Sequence, residues 1–310
     1  MAKTKKRKSI SYSKWAYIFI APFFIVYTIF TLYPQLKTFY NSFFMDYMEG
    51  LTHYGPTFIG LDNYKTIFAV NAAGQVGILS YFKNTIVLWV IGAVPQILIA
   101  LALALIFTST RLNVKGQGLF KTIIYMPNLI MASAFSMLIW TLFSPVGPVN
   151  RMLVEWGVLS EAFDFMAHTV SVRTLIGFIN FILWFGNTTI LLMAGIMSID
   201  ESLFESARID GSSSSQVFFH ITLPLLLPQL VYIAITSMIG GFQMFDVPQV
   251  MTNGKGTPNR TSMTVIMQLN NYLGGVKNYG MAGAISVILF IITGTLSIFV
   301  YRTLMKQYKK

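Results

Sequence analysis

At 310 residues, 55% hydrophobic and only 11% charged, with a mean hydropathy of +0.63, the chain is too apolar for a water-soluble domain of ordinary composition. Its 22 basic and 11 acidic residues give a net charge of +11, but no aromatic residues interleave with a basic groove, so nucleic-acid binding is a poor reading. With no cysteine, disulfide, iron–sulfur and thiol chemistry are excluded.

Apolar runs near the ~20 residues that a membrane span needs occur at 15–34, 84–107, 122–143, 174–197, 222–245 and 281–304. They predict an all-α integral membrane protein with six transmembrane helices. Residues 1–14 read as a basic tail carrying Lys3, Lys5, Lys6, Arg7, Lys8 and Lys14, and 305–310 as a second short tail with Lys306, Lys309 and Lys310. With Arg111, Lys115 and Lys121 between spans two and three, these are positive-inside signals that place both termini in the cytosol. The first apolar run lacks a small-residue cleavage site and reads as a retained signal-anchor helix.

In chain order, 35–83 is the longest extramembrane segment and has weak periodicity; Asp62 or Asn63 is positioned to cap a helix through Phe68. Span two carries Gln96, which is expensive in lipid and is expected to face other helices. Gly116, Gln117 and Gly118 before Lys121 do not make a phosphate loop, because Phe120 precedes the lysine and no strand leads in. Trp140 to Asn150 reads as a proline- and glycine-rich outer turn. Span four holds Asn180, Trp184 and Asn187. Span five ends in Gly240, Gly241, Phe242, Gln243, Met244, Phe245 and Asp246, and span six has Gly280, Gly283 and Gly294 for close helix packing.

The most informative stretch is 198–228, a polar island between spans that holds Asp200, Glu201, Glu205 and Asp210. Asp200 is positioned to cap a helix starting at Glu201. Leu203, Phe204 and Ala207 share one face, and Gly211 is free to take positive φ and end the helix. Ser212 to Ser215 offer N-caps for a second short helix over 216–220, after which Pro224 opens the next span and Pro228 kinks it. An acidic loop on the cytosolic side is better suited to a basic protein partner than to anionic lipid.

Glu205-Ser206-Ala207, then Gly211, then Ile221-Thr222-Leu223-Pro224, resembles the EAA loop of permease subunits of binding-protein-dependent ABC importers. Ser206 replaces the first alanine of that pattern. Asp210-Gly211, Phe218-Phe219 and the Gly60-Leu61-Asp62-Asn63-Tyr64 string resemble the sugar-importer branch, of the maltose, multiple-sugar or glycerol-phosphate type. So do 119–127 at the entry to span three, the Trp140–Asn150 turn, and Met251-Thr252-Asn253-Gly254-Lys255-Gly256-Thr257-Pro258, where Lys255 separates the two glycines and Thr257 is inserted.

The resemblance covers nearly the whole chain and implies a type I importer permease, with residues 15–304 as the transmembrane domain and 198–221 as its coupling loop. It implies that Glu205, Ser206, Ala207, Asp210 and Gly211 contact a cytosolic ATPase. That partner, not this chain, would bind ATP and magnesium. A second homologous permease chain, two ATP-binding subunits and an external solute-binding protein complete the expected assembly in a bacterial cytoplasmic membrane.

The same family places sugar contacts on spans four and five. Asn180, Trp184 and Asn187 fall at i, i+4 and i+7 on one helix face; Ser237, Gly241 and Met244 repeat that spacing, with Gly240 and Gln243 beside them. Amides pair with hydroxyls, an indole offers a flat apolar face, and glycines let a ligand approach the backbone. The alternative is that these amides join helices and the glycines are packing notches.

Other readings stay open from the residues. An intramembrane enzyme would need convergent ionisable groups, whereas His53, His168 and His220 lie in different connections and no span holds a carboxylate pair. An ion-coupled secondary transporter would place acids or lysines inside its spans, and a non-transport membrane scaffold leaves the loop unexplained. The expected cargo is a carbohydrate, an oligosaccharide in preference to phosphorylated glycerol, because the spans carry amides and aromatics but no basic cluster.

Overall fold

The computed structural model describes residues 13–70, 77–109, 112, 115–275 and 277–308. The basic residues 3–8 of the tail, Arg111, Lys309 and Lys310 lie outside this set. The chain opens with helix α1 (Ser13–Tyr27), a π turn (Thr28–Leu32) and α2 (Tyr33–Asn41). A hairpin of β1 (Phe44–Glu49) and β2 (Thr52–Phe58) and the short α3 (Asp62–Phe68) lead to the long α4 (Gly77–Thr108). Then come α5 (Gln117–Tyr125), a 3-10 turn (Met126–Leu129), α6 (Ala132–Leu142), α7 (Pro148–Glu155) and α8 (Thr169–Met197). The loop helices α9 (Glu201–Ile209) and α10 (Ser214–Val217) precede a π turn (Phe218–Thr222) and α11 (Leu223–Phe242). The chain finishes with α12 (Asp246–Met251), α13 (Val265–Asn270), a π turn (Asn271–Gly275) and α14 (Tyr279–Tyr308).

Among the described residues, five helical stretches are long and apolar enough to cross a membrane: Lys14–Asn41, Gly77–Thr108, Thr169–Met197, Ser214–Met251 and Tyr279–Lys306. The expected third span is not one rod. Gln117–Leu129 and Ala132–Leu142 meet at 91°, so six crossings require this bent pair to count as one. Pro127, in the 3-10 turn, provides the cause: it has no N–H and cannot continue an α-helix from Tyr125. The break is held in place by Asn128, whose Nδ2 donates to the Leu183 carbonyl of α8 at 3.0 Å.

The two π turns at Thr28–Leu32 and Phe218–Thr222 share a sequence logic. Each is followed two residues later by a proline, Pro34 or Pro224, at the second position of the next helix. The bond before it is wound one residue wider, Tyr33 N–H to Thr28 O and Leu223 N–H to Phe218 O, which keeps the helix continuous past a residue with no N–H. The short helix expected over 216–220 is therefore part of one helical stretch that runs from Ser214 to Met251, rather than a separate element.

The hairpin is the clear departure from an all-α chain. It pairs antiparallel, with Phe44 opposite Phe58 and Tyr47 opposite Tyr54. The tyrosine rings stack at 5.1 Å. Both faces of β2 are exposed, so no inside–outside alternation marks it, and Gly55 and Pro56 are residues that strands avoid. Asn63 does not cap α3, and neither does Asp62. The cap position is Leu61, without a side-chain bond. Asn63 is buried and donates to the carbonyls of Ser42 and Phe44, both at 2.9 Å, tying the hairpin to α3.

The interior divides into three apolar clusters. One joins α4, α11, α13 and α14 around Phe82, Phe242 and Ile285; a second joins α8, α6 and α12 around Ile176 and Met251; the third joins the far ends of α4, α8 and α11 around Ala100, Leu192 and Leu226. No side chain of Lys14–Asn41 is buried. Of the expected packing glycines, Gly280 lies against the Phe44 carbonyl and Gly283 lies 3.0 Å from the Thr38 carbonyl as measured from an added Cβ, whereas Gly294 faces open space.

The turn after α6 depends on one side chain. Asn150 is 1% exposed; its Nδ2 donates to the carbonyls of Ser144 and Phe163, and its Oδ1 accepts the Phe163 N–H at 2.9 Å. Asn150→Ala strands several buried backbone groups at once, and we expect a loss of about 1–3 kcal/mol. Thermal unfolding of the purified protein in detergent checks this; an unchanged midpoint would show that water replaces the amide without cost.

Candidate functional site

Two places in the fold are built for interaction. The first is a cleft of about 470 Å³ walled by α4, α8 and α11 and closed at one end by α6 and α12. All eight residues expected on the cargo path line it: Asn180, Trp184, Asn187, Ser237, Gly240, Gly241, Gln243 and Met244. Their roles differ. Asn180 spends its Nδ2 on the Ile176 carbonyl at 2.9 Å and on the Met244 sulfur at 3.6 Å. Asn187 makes no side-chain hydrogen bond among the described residues. Trp184 is half exposed. The Ser237 hydroxyl accepts the Trp89 indole N–H at 3.1 Å.

The glycine pair also splits. A Cβ on Gly240 would meet nothing within 4 Å, so Gly240 is the open one. A Cβ on Gly241 would run into the Trp89 ring, which makes Gly241 a packing notch for that indole, not a place for a ligand to approach. Helix α11 ends at Phe242, so Met244 does not continue its face; it is buried against Asn180 from the turn that follows. Gln243, off the stripe on spacing grounds, is exposed and lines the cleft.

Sequence spacing missed Trp89, Thr188, Tyr232, Thr236 and Asp246, which line the same cleft. Gln96 was legible as a polar residue that should face other helices. It is buried, donates to the Thr188 hydroxyl at 2.8 Å, and reaches the cleft as well. The signal for Trp89 lay in its distance from Gln96, two helical turns along one face of α4. Tyr232 and Thr236 are one turn apart on α11 and were hidden by the apolar residues around them.

The second place is the loop between α8 and α11. Asp200 caps α9 by accepting the Ser202 N–H at 2.9 Å, and that backbone bond, followed by the Ser202 side chain, holds its carboxyl below the usual range. At the other end Gly211 has φ +71°. Its N–H donates to the Arg208 carbonyl and the Ser212 N–H to the Ala207 carbonyl, the paired bonds of a Schellman motif. Ser213 and Gln216 then form a capping box that starts α10. Of the expected contact residues, Ala207 is buried, while Glu205, Ser206, Asp210 and Gly211 are exposed. A second cavity, of about 550 Å³, separates Glu201, Phe204 and Arg208 of α9 from Leu105 and Ile196 at the ends of α4 and α8.

His53 pairs with Asp46 at 2.7 Å, His168 stacks on Phe163 at 4.7 Å, and the His220 ring bonds the Gln216 carbonyl, so the three histidines remain apart. Among the described residues there is no group of three or more His, Cys, Asp or Glu that could hold a metal.

The cleft thus lies between long apolar helices, carries several amides and hydroxyls on its lining, and is joined by two of its walls to a capped acidic loop. The family model for the binding-protein-dependent transport system inner membrane component matches residues 96–309, more than half of the chain, and the chain belongs to that family. It is thus a permease subunit of an ABC importer and not an enzyme. It is 28% identical over 297 residues to the lactose transport system permease protein LacF of Rhizobium radiobacter, covering 95% of this chain and 96% of that one. It is likewise 28% identical over 296 residues to the arabinooligosaccharides transport system permease protein AraP of Bacillus subtilis, covering 94% and 89%. Its fold matches, with a TM-score of 0.77 and 22% identity over 95% of this chain and 96% of the other, the crystal structure of a bacterial ABC transporter involved in import of the acidic polysaccharide alginate. The architecture is that of a multi-pass type I importer permease.

The contrast between the two glycines is directly testable. Gly241→Ala should cost about 1–3 kcal/mol through overpacking against Trp89 and shift indole fluorescence, while Gly240→Ala should fold with unchanged stability. Equal unfolding midpoints for the two variants would overturn this division of roles.

Proposed function

We propose that this chain forms half of the translocation path for a carbohydrate, an oligosaccharide, and couples that path to ATP hydrolysis by a separate subunit. The observation that carries the reading is the convergence of Asn180, Trp184, Asn187, Ser237, Gly240 and Gln243 on one cleft. Amide groups and an exposed indole are what the hydroxyls and the apolar face of a sugar ring require. No basic residue lines the cleft. An uncharged saccharide therefore fits it better than alginate, the cargo of the alginate transporter, or than the glycerol phosphate carried by the related sn-glycerol-3-phosphate permease protein UgpA of Agrobacterium fabrum. The lactose and arabinooligosaccharide permeases among the relatives support the same class.

In this reading α9, through Glu205, Ser206, Ala207, Asp210 and Gly211, docks on a cytosolic ATPase that binds ATP and magnesium. Residues 15–304 form the transmembrane domain, 198–221 its coupling loop, and 1–14 and 305–310 cytosolic tails. A second homologous permease chain supplies the facing half, a heterodimer being the expected form, and two ATPases serve the pair. An external solute-binding protein delivers the cargo, as the alginate transporter in complex with a pentasaccharide-bound periplasmic protein illustrates for its own system. The membrane is the bacterial cytoplasmic membrane, with the hairpin outside.

Two measurements test the reading. Glu205→Lys should reduce ATPase co-purification and uptake together without lowering the unfolding midpoint, and normal uptake would remove the coupling assignment. Combined alanine substitution of Asn180, Trp184 and Asn187 should reduce uptake roughly 10-fold or more, about 1.4 kcal/mol, with assembly intact. Loss of assembly in proportion to uptake would identify the amides as helix–helix glue instead.

A further inference from the structure

Asp246 has no part in the function proposed above, but its position gives it one. It lies on the cleft lining at the first position of α12. The other lining groups are amides, hydroxyls, aromatic rings, a thioether and aliphatic side chains, so among the described residues Asp246 is the one lining residue with a formal charge. Its side chain is exposed and has no hydrogen-bond or ion-pair partner among the described residues. An acid in the first turn of a helix is favoured by the backbone dipole, but Asp246 stands one position after the cap residue Phe245, and α12 has no side-chain capping bond. At an exposed helix end the dipole contributes little, so α12 does not depend on the charge.

The charge matters for what can enter. A carboxylate on the cleft lining acts at short range on whatever enters, and because the Asp246 side chain is exposed its field is also open to screening by salt. A saccharide carrying carboxylates meets repulsion there with no lysine or arginine in the lining to offset it. An uncharged saccharide meets only hydrogen-bonding groups, and an amino saccharide meets attraction. We propose that Asp246 is the charge filter of the cleft, turning away acidic saccharides and favouring uncharged and amino-bearing ones. This inference rests on the carbohydrate reading of the same cleft.

The test uses the complete importer, both permease chains with their ATPases, in nanodiscs and without the solute-binding protein, so that the selectivity of the latter does not enter. Three trisaccharides of equal length are the probes: maltotriose, the glucosamine trimer and the galacturonic acid trimer. Binding is read by saturation-transfer NMR at about pH 6, where exposed carboxylates are ionised. Wild type should bind maltotriose roughly 10-fold or more tighter than the uronate trimer, and the glucosamine trimer at least as well as maltotriose. Asp246→Asn should bring the uncharged and acidic trimers within about 2-fold of each other, a residual difference of about 0.4 kcal/mol or less. Added salt should narrow the wild-type ratio and leave the variant unchanged. Asp246→Ser, a second uncharged variant, repeats the measurement should α12 not tolerate asparagine. An unchanged ratio in a folded variant, or tightest binding of the uronate by wild type, overturns the filter. Binding of none of the three trimers by wild type overturns the carbohydrate reading itself, which is a separate failure.

Discussion

Gly92 and Gly177 face each other where α4 crosses α8, and an added Cβ on Gly92 would lie 3.0 Å from the Gly177 carbonyl oxygen. In a bilayer the lipid tails are as apolar as leucine, so helices associate through close packing and interhelical hydrogen bonds, and small residues permit the approach. Two polar ties fix the crossing on either side. Toward one end, Gln96 donates to Thr188. Toward the other, the Arg173 guanidinium donates to the Asn84 side-chain oxygen Oδ1 at 2.8 Å and to the Thr261 backbone carbonyl at 2.6 Å, and the Asn84 Nδ2 in turn donates to the carbonyls of Arg260 and Met263. The pair α4–α8 is therefore set in both distance and register. The α11 wall is then set against it by Gly241 under the Trp89 ring and by the Trp89–Ser237 bond.

That frame gives the loop its leverage. Helix α9 is joined to α8 by Ser198–Asp200 and, through Asp210–Ser213, to the continuous helix that becomes α11. Both joints are closed by their own hydrogen bonds, an aspartate cap on one side and a Schellman turn with a capping box on the other. The ends of α9 need nothing from outside, and its acidic residues stay exposed for a partner. A cavity separates α9 from the ends of α4 and α8. In the coupling proposed above, a push on α9 would pass to α8 and α11, two walls of the cleft, through these short, hydrogen-bonded joints.

How much of this the sequence disclosed follows from which physics is local. Span existence is written in hydropathy, and the three-residue face of Asn180, Trp184 and Asn187 in helical period. The α9 cap and its glycine turn are written in residues whose preferences act within one turn of chain. What escaped was set by other parts of the molecule. The hairpin 44–58 is stabilised by aromatic pairs across its strands, by bonds from Asn63 of the next helix, and by the Met48 N–H donating to the Lys277 carbonyl at 3.2 Å, a partner far along the chain. The sharp bend at 130–131 follows from Pro127, yet a proline in an apolar run does not say whether a helix will bend or break. Nor could composition say which of Gly240 and Gly241 packs and which opens, because the difference is one indole arriving from another helix.

The hydrogen-bond state of the cleft also bears on how a cargo could leave it. Asn180 and Ser237 are already engaged within the protein, whereas Asn187 and the exposed Gln243 are not held by any described side-chain bond. Groups that are already satisfied offer a ligand little, since a new bond must first break an old one. Groups that exchange water for a ligand hydroxyl yield only a modest net gain. If the saccharide proposed above passes here, a few exchangeable contacts and the aromatic rings of the lining would hold it. Such a hold suits a conduit better than a storage site, because conduction requires binding favourable enough to admit and weak enough to release. Tight recognition would then fall to a component that meets the cargo before it reaches these helices, leaving the cleft to discriminate by features that act without tight binding, namely width and charge.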